Sequence, residues 1–241
     1  MRKLLMTLLF LLLVVTGLDA RTFVLVTGVT NYPQEGVSKL SQATKDAKRF
    51  KELMESQTKD ITLLTGQNVT RDNVLEKLSA ICNRAQKDDQ IVFFFSGHGG
   101  TGGILGYDVP ISYSDIVNLF SKSAASSKIA FIDACMSGSA VVPLKSKDWQ
   151  NSVSGRSDIA FLVSSRPDEY SVEDPFLGSG LFMNSLVKGM RGKSDKNADR
   201  RITLEELFRY TYNDVLLHSN KQQHPQLIAP KGMYNVVLTK W

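Results

Sequence analysis

Only two cysteines, Cys82 and Cys135, occur in the 241 residues. That is too few for a disulfide-built scaffold, and a single bridge would have to use both. No apolar run reaches the roughly 20 residues that a permanent membrane-spanning helix needs. Charge of one sign is also scarce in excess. Lys and Arg total 29 against 24 Asp and Glu, for a formal charge of +5. Lys45, Lys48, Arg49 and Lys51 do cluster, but on a helix whose other face is apolar, so a solvated face explains them and nucleic acid is not an expected partner. Internal repeats and low-complexity tracts are missing too, which excludes solenoids and extended disorder. What remains is 42% hydrophobic and 22% charged, the composition of one globular α/β domain with a substantial core.

The first twenty residues differ from the rest. Arg2 and Lys3 precede an apolar stretch from Leu4 to Val15, which is followed by Thr16, Gly17 and the small residue Ala20. A charged start, a short apolar run and a small residue at the cut describe a secretory signal peptide. Residues 1–20 are therefore expected to be removed and 21–241 to form a single domain, secreted or periplasmic, with no stable membrane span. Removal takes away Arg2, Lys3 and Asp19 and lowers the formal charge from +5 to +4.

Along residues 21–241 short apolar runs alternate with amphipathic stretches. Strands are expected at Phe23–Val29, Ile61–Thr65, Ile91–Ser96, Lys128–Asp133, Ile159–Ser164 and Tyr234–Leu238. Helices are expected over Gln42–Ser56, from a Thr70 cap to about Gln86, from Ser114-Asp115 to about Ala125, over Leu181–Met190, and from Thr203. Ile91–Ser96 is apolar on both faces, the pattern of a central strand covered by helices on both sides. Repeated β–α–β order implies a mostly parallel sheet with its ligand cleft beyond the carboxyl ends of the strands. Two segments of unusual chemistry emerge at that edge: Ser96-Gly97-His98-Gly99-Gly100 and Asp133-Ala134-Cys135-Met136-Ser137-Gly138.

A thiol attacks as thiolate, so a nucleophilic cysteine needs a base beside it. His98, at the end of the neighbouring strand, supplies that base and can then protonate a leaving amine. Glycines around His98 leave N–H groups free which, with that of Cys135, can hold an oxyanion. Cys82 is different. It follows Val74, Leu75, Leu78 and Ile81 at helical spacing and reads as a buried structural thiol. His218, at the end of a helix, and His224, before Pro225, read as structural or solvent-facing.

"FFFSGHGG" at 93–100 and "FIDACMSG" at 131–138 resemble the two catalytic motifs of caspases and metacaspases. The resemblance extends through "LSQATKDAKRF" at 40–50, "LVSSRPDEYSVEDP" at 162–175, "GSGLFMNSLVKGM" at 178–190 and "DKNADRRITLEELFRY" at 195–210. It implies an α/β fold of the caspase-like kind, a three-layer sandwich with a mostly parallel central sheet and helices on both faces. It also implies a cysteine-type endopeptidase acting on protein or peptide substrates, with a His98–Cys135 dyad and Gly99 beside Cys135 in the oxyanion hole. Caspases proper place Gln before Ala-Cys, whereas this chain has Asp133, as metacaspases do. The metacaspase specificity pocket maps onto Asp46, Ser96 and Asp133. The fourth position, usually Cys, is Ala43. Two carboxylates there imply cleavage after Arg or Lys. The polar stretch Lys145–Asp158 resembles the loop that caspases cut between subunits, and Lys145, Lys147 and Arg156 make it a candidate for self-cleavage.

No cofactor is expected. The acidic cluster that binds activating calcium in metacaspases is absent, since Thr101–Ile111 holds only Asp108. Asp195, Asn197, Asp199, Arg201 (by its carbonyl), Thr203 and Glu206 do fall at the ligand positions of a calcium-binding loop. However, Arg200 stands where the turn favours Gly, and Thr203 with Glu206 makes a helix-capping box that explains both without metal. Two rivals of other classes remain. One is a caspase-fold binding module without turnover. The other is a nucleotide-binding protein using the Gly97–Gly102 loop, which would require a helix directly after the glycines.

Overall fold

The computed structural model describes residues 20–134, 148–166, 169, 173–174 and 179–241. Cys135 lies outside the described residues, as do Lys145 and Lys147. In chain order the elements begin with β1 (Thr22–Gly28), α1 (Ala43–Met54), β2 (Ile61–Thr65), α2 (Arg71–Arg84) and β3 (Gln90–Ser96). After them come β4 (Gly99–Gly100), β5 (Gly103–Leu105), β6 (Pro110–Ser112), α3 (Tyr113–Lys122) and β7 (Ser127–Asp133). The remainder is α4 (Asp148–Ser154), β8 (Ile159–Val163), β9 (Glu173–Asp174), β10 (Ser179–Gly180), α5 (Leu181–Lys188), β11 (Arg201–Thr203), α6 (Leu204–His218), β12 (Gln226–Ile228) and β13 (Val237–Lys240).

Six strands form the main sheet in the order β12-β8-β7-β3-β1-β2. The ladders from β8 through β2 are parallel, and β12 runs antiparallel on the outer edge. Period-two alternation divides the core between the two faces. Phe93, Phe95, Ala130, Ile132 and Phe161 pack beneath α2, α3 and α4, whereas Val92, Phe94, Ile129, Phe131 and Leu162 pack beneath α1, α5 and α6. This is the three-layer sandwich the sequence implies.

The helix starts follow local chemistry. Thr70 accepts a hydrogen bond from the Asn73 N–H, and Ser112 accepts one from the Asp115 N–H, so α3 opens one residue earlier than Ser114 suggests. Thr203 and Glu206 form the expected capping box. Lys45 and Lys48 are exposed on α1 opposite buried Ala47 and Phe50, the solvated face foreseen for that cluster.

Two regions correct the sequence reading. Asp148–Ser154 is helical instead of an open loop. Trp149 is 1% exposed, lies against Tyr113 and Phe161, and donates its indole N–H to the Thr101 carbonyl. Arg156, offered as a self-cleavage point, is tied to Asp158 and the Ser121 carbonyl. The glycine-rich stretch after His98 is the other. It folds as a small antiparallel sheet of β4, β5 and β6, with no helix before Tyr113. A phosphate cradle needs a helix amino terminus at that point, so the nucleotide-binding alternative fails.

Candidate functional site

The site is built at the carboxyl ends of the two central strands. β3 and β7 pair in parallel register from Gln90↔Ser127 to Ser96↔Asp133. The Gly97 N–H then donates to the Asp133 carbonyl at 3.1 Å, carrying the ladder one step further. Gly97 is required here because a Cβ would lie 2.5 Å from the Tyr32 hydroxyl and 2.6 Å from the Phe95 ring. His98 therefore leaves the sheet beside the strand that leads through Ala134 into Cys135.

The half-buried His98 is oriented by the loop between β1 and α1. Its backbone N–H donates to the Tyr32 hydroxyl at 2.9 Å, and the two rings sit 5.1 Å apart. Burial pushes the Tyr32 phenol well above its ordinary range, so Tyr32 remains a neutral acceptor. His98 Nε2 lies 2.7 Å from the Ser38 carbonyl oxygen. A carbonyl can only accept, so in the neutral ring Nε2 carries the hydrogen and Nδ1 keeps its lone pair.

The candidate pocket residues meet on the α1 and α5 side of the sheet. Ser96 and Asp133 are register partners on adjacent strands, and alternation puts both on the face that carries Phe94 and Phe131. Asp46 sits in the first turn of α1 and is 2% exposed. It is brought there because α1 packs closely on β1. A Cβ at Gly28 would lie 2.6 Å from the Ala43 carbonyl oxygen, and Gly28 is itself the register partner of Ser96. Ala43 is buried alongside. A helix surface facing water, the plain alternative for Asp46, is thereby ruled out.

Two further residues belong to this group and carried no assignment in the sequence. The Ser179 hydroxyl donates to Asp46 Oδ1 at 2.7 Å, and the Gly180 N–H donates to Asp46 Oδ2 at 3.3 Å. A Cβ at Gly180 would meet Asp133 Oδ2 at 3.1 Å and Asp46 Oδ2 at 3.7 Å, so both carboxylates converge on this residue. Gly180 is the N-cap of α5, whose positive dipole end also favours negative charge.

One more contact fixes the approach to Cys135. Where β8 ends, the Ser164 N–H still donates to the Ile132 carbonyl. The Ser164 hydroxyl then replaces the next backbone rung: it accepts from the Ala134 N–H at 3.1 Å and donates to the Ala134 carbonyl at 3.0 Å. The Ser164 carbonyl turns to buried Gln223, whose Nε2 donates to it at 2.8 Å.

The other candidates lie elsewhere. Burial pushes the Cys82 thiol up to about 11, with the Lys128 charge partly opposing, as suits an inert core residue. His218 is bound to the Asp214 carbonyl, and His224 joins Glu169 through Nδ1 at 2.6 Å. The Asp195–Glu206 loop turns most of its oxygens onto its own chain, although Asp195 Oδ1 is buried without a hydrogen-bond partner among the described residues. Asp195 accepts from the Arg200 N–H, Asn197 from Asp199, Asp199 from Arg201, and Glu206 from Thr203. Arg200 adopts the left-handed φ of 62° that Gly would favour, so its side chain does not prevent the turn. Among the described residues no group of three or more His, Cys, Asp or Glu is gathered around a metal position, and no helix is long and apolar enough to cross a membrane.

Comparison with known proteins agrees with the fold. A crystal structure of a protein from Geobacter sulfurreducens superposes with a TM-score of 0.69 at 15% sequence identity, covering 91% of this chain and 100% of that one. At that identity the likeness concerns the fold. No curated protein matches the sequence. The sequence profile of the caspase domain matches residues 21–231, which takes in nearly the whole of the sandwich and both candidate motifs. The chain belongs to the caspase-domain family of peptidases.

Proposed function

We propose that the protein is an exported cysteine endopeptidase that uses Cys135 as nucleophile and His98 as general base and acid, and that cleaves after Arg or Lys. The observation that carries this reading is the fixing of His98 Nε2–H on the Ser38 carbonyl, which reserves Nδ1 for a proton from the neighbouring strand end. In the reaction the Cys135 thiol proton passes to Nδ1 and the thiolate attacks the scissile carbonyl carbon. N–H groups of Gly99 and Cys135 stabilise the oxyanion. The tetrahedral intermediate collapses, the C–N bond breaks, and His98 returns the proton to the leaving amine. Water then hydrolyses the thioester with His98 again as base. The substrate's side chain enters between Asp46, Asp133 and Ser96.

A peptidyl ketone electrophile ending in Arg tests this reading on the purified protein. Modification of Cys135, with turnover of the matching peptide substrate, is expected. Ligand binding without modification or turnover would favour a caspase-fold binding module.

Ser164 is expected to act as a positioning residue for the nucleophile, since its hydroxyl holds both backbone groups of the residue before Cys135. Ser164→Ala should lower kcat by about 10- to 100-fold with KM little changed, the pattern of a displaced reacting group. Gln223→Leu, which releases the Ser164 carbonyl and leaves the Ser164 hydroxyl in place, should cause a smaller loss. A KM effect with kcat unchanged would assign Ser164 to substrate binding instead.

Calcium is not required in this mechanism. Asp108, the one acid between Thr101 and Ile111, accepts from the Arg71 N–H, and in the Asp195–Glu206 loop Asn197, Asp199, Glu206 and one oxygen of Asp195 accept from the loop's own N–H groups. Turnover should therefore persist in excess chelator, whereas loss restored by millimolar calcium would return the loop to consideration as a metal site.

A further inference from the structure

At the end of the sheet opposite the candidate site, Asp89 is 3% exposed at the start of β3. Its Oδ2 accepts the Gln86 N–H at 2.8 Å, and its Oδ1 accepts the backbone N–H of Arg21, also at 2.8 Å. The Arg21 carbonyl in turn accepts the Gln90 N–H. Asp89 also reaches across to the strand that leads to Cys135, because its carbonyl accepts from both the N–H and the hydroxyl of Ser126, the residue before β7. Asp89 thus ties the start of β3 to that of β1 through its carboxylate and to that of β7 through its main-chain carbonyl. The nearest cation is the Arg21 guanidinium at 3.6 Å, on a side chain 46% exposed. A buried carboxylate answered mainly by neutral amides is short of positive charge.

Arg21 is also the residue at which signal-peptide removal is expected to start the mature chain. We propose that Asp89 is the receiver for the mature amino terminus. Cleavage of the Ala20–Arg21 bond during export converts the Arg21 amide into an ammonium that pairs with the Asp89 carboxylate and locks the starts of the strands carrying His98 and Cys135. Hydrolysis adds one water across that amide, leaving a carboxylate on Ala20 and the ammonium on Arg21. The hydrogen bond already present at 2.8 Å then becomes charge-assisted without moving the chain. The uncut precursor lacks this ion pair and is the less stable form, which suits a chain that must cross a membrane before it folds. The proposal rests on the export reading and not on peptidase activity.

The sign with pH follows directly. An α-amino group ionises near pH 8 when unpaired, and pairing with Asp89 favours its charged form. The added stability is complete below that pH and disappears as pH rises through the folded-state value. Asp88, Asp89, Arg21, Arg84, Arg201 and Lys240 are charged groups around this end of the sheet, with Asp60 paired to Arg84 and Asp158 paired to Lys128 at the starts of its neighbouring strands. All are shared by chains differing only in their starts, so comparing starts isolates the terminus.

The test compares a chain beginning at Arg21 with one that keeps Ala20 behind two added glycines, which moves the ammonium about 10 Å along the backbone. At pH 6 the Arg21 start should melt about 2–4 °C higher, the shift expected from strengthening one hydrogen bond in a domain of this size. The difference should vanish by about pH 10, and at pH 6 in the Asp89→Asn background. If Asp89→Asn does not fold, the pH comparison on the native sequence decides. Equal melting at pH 6, a difference that survives at pH 10 or in Asp89→Asn, or an exported species that starts elsewhere than Arg21 would overturn the proposal. Because melting is read without substrate, these results stand apart from any failure of the peptidase reading.

Discussion

Cys135→Ala and His98→Ala are each expected to lower kcat/KM for an Arg peptide by on the order of 10⁴-fold or more. The double variant should lose little beyond either single one, because nucleophile and base act as a unit. His98→Ala removes one ring hydrogen bond and the packing on Tyr32, a cost of roughly 1 kcal/mol that leaves the fold intact. The carbonyl of Ser38 gives a sharper discrimination. Ser38→Ala keeps that carbonyl and loses only the hydroxyl, which stands 3.4 Å from Nε2. Its kcat should stay within about threefold of wild type, since a contact that long is hardly a hydrogen bond. Near-normal turnover in Cys135→Ala or His98→Ala, with protein free of wild-type contamination, would refute the dyad. A large loss in Ser38→Ala would mean that the hydroxyl, and not the main chain, orients the ring.

The architecture was readable because its signals are local. β3 and β7 are runs too apolar to face water on either side, and their spacing around an amphipathic helix made them parallel neighbours. Period-two counting from Phe94 and Phe131 then puts Ser96 and Asp133 on one face, so half of the candidate pocket follows from alternation alone. The remainder depends on contacts that leave no local trace. Ser179 and Gly180 reach Asp46 across more than 130 residues of chain, and a Ser-Gly pair ahead of a helix looks like any cap. β12 is three residues long, too short for a period to register, and its antiparallel direction is set by the loop after α6. In α4 only Trp149 and Val153, four positions apart, show the buried face among polar neighbours, which is why the stretch read as loop. Ser164 was legible as a strand end, but its role in replacing a backbone rung beside Cys135 appears only once β7 and β8 are seen to part there.

Peptides with Arg at the cleavage position should be cut faster than those with Lys, and far faster than those with Asp. Asp46 and Asp133 are 2% and 7% exposed and aim at the same residue, Gly180. The Ser179 hydroxyl, the Gly180 N–H and the end of α5 supply dipoles to this pair. A guanidinium brings full charge in a planar fork that can bond to two carboxylates at once, whereas an ammonium offers a point charge. An Asp side chain would meet two like charges, each worth about 4 kcal/mol against it at 4 Å and an effective dielectric constant of 20. Asp133→Asn should lower kcat/KM for Arg peptides by about 10- to 100-fold, the worth of one charged hydrogen bond. Asp46→Asn should do the same without unfolding the site. Its amide oxygen can still accept from the Gly180 N–H, and its NH₂ can donate to the Ser179 hydroxyl, which turns to accept. Melting temperatures close to wild type in both variants would separate specificity from stability. Faster cleavage of Asp peptides than Arg peptides by the wild-type protein would show that Asp46 and Asp133 hold the site together without reading the substrate.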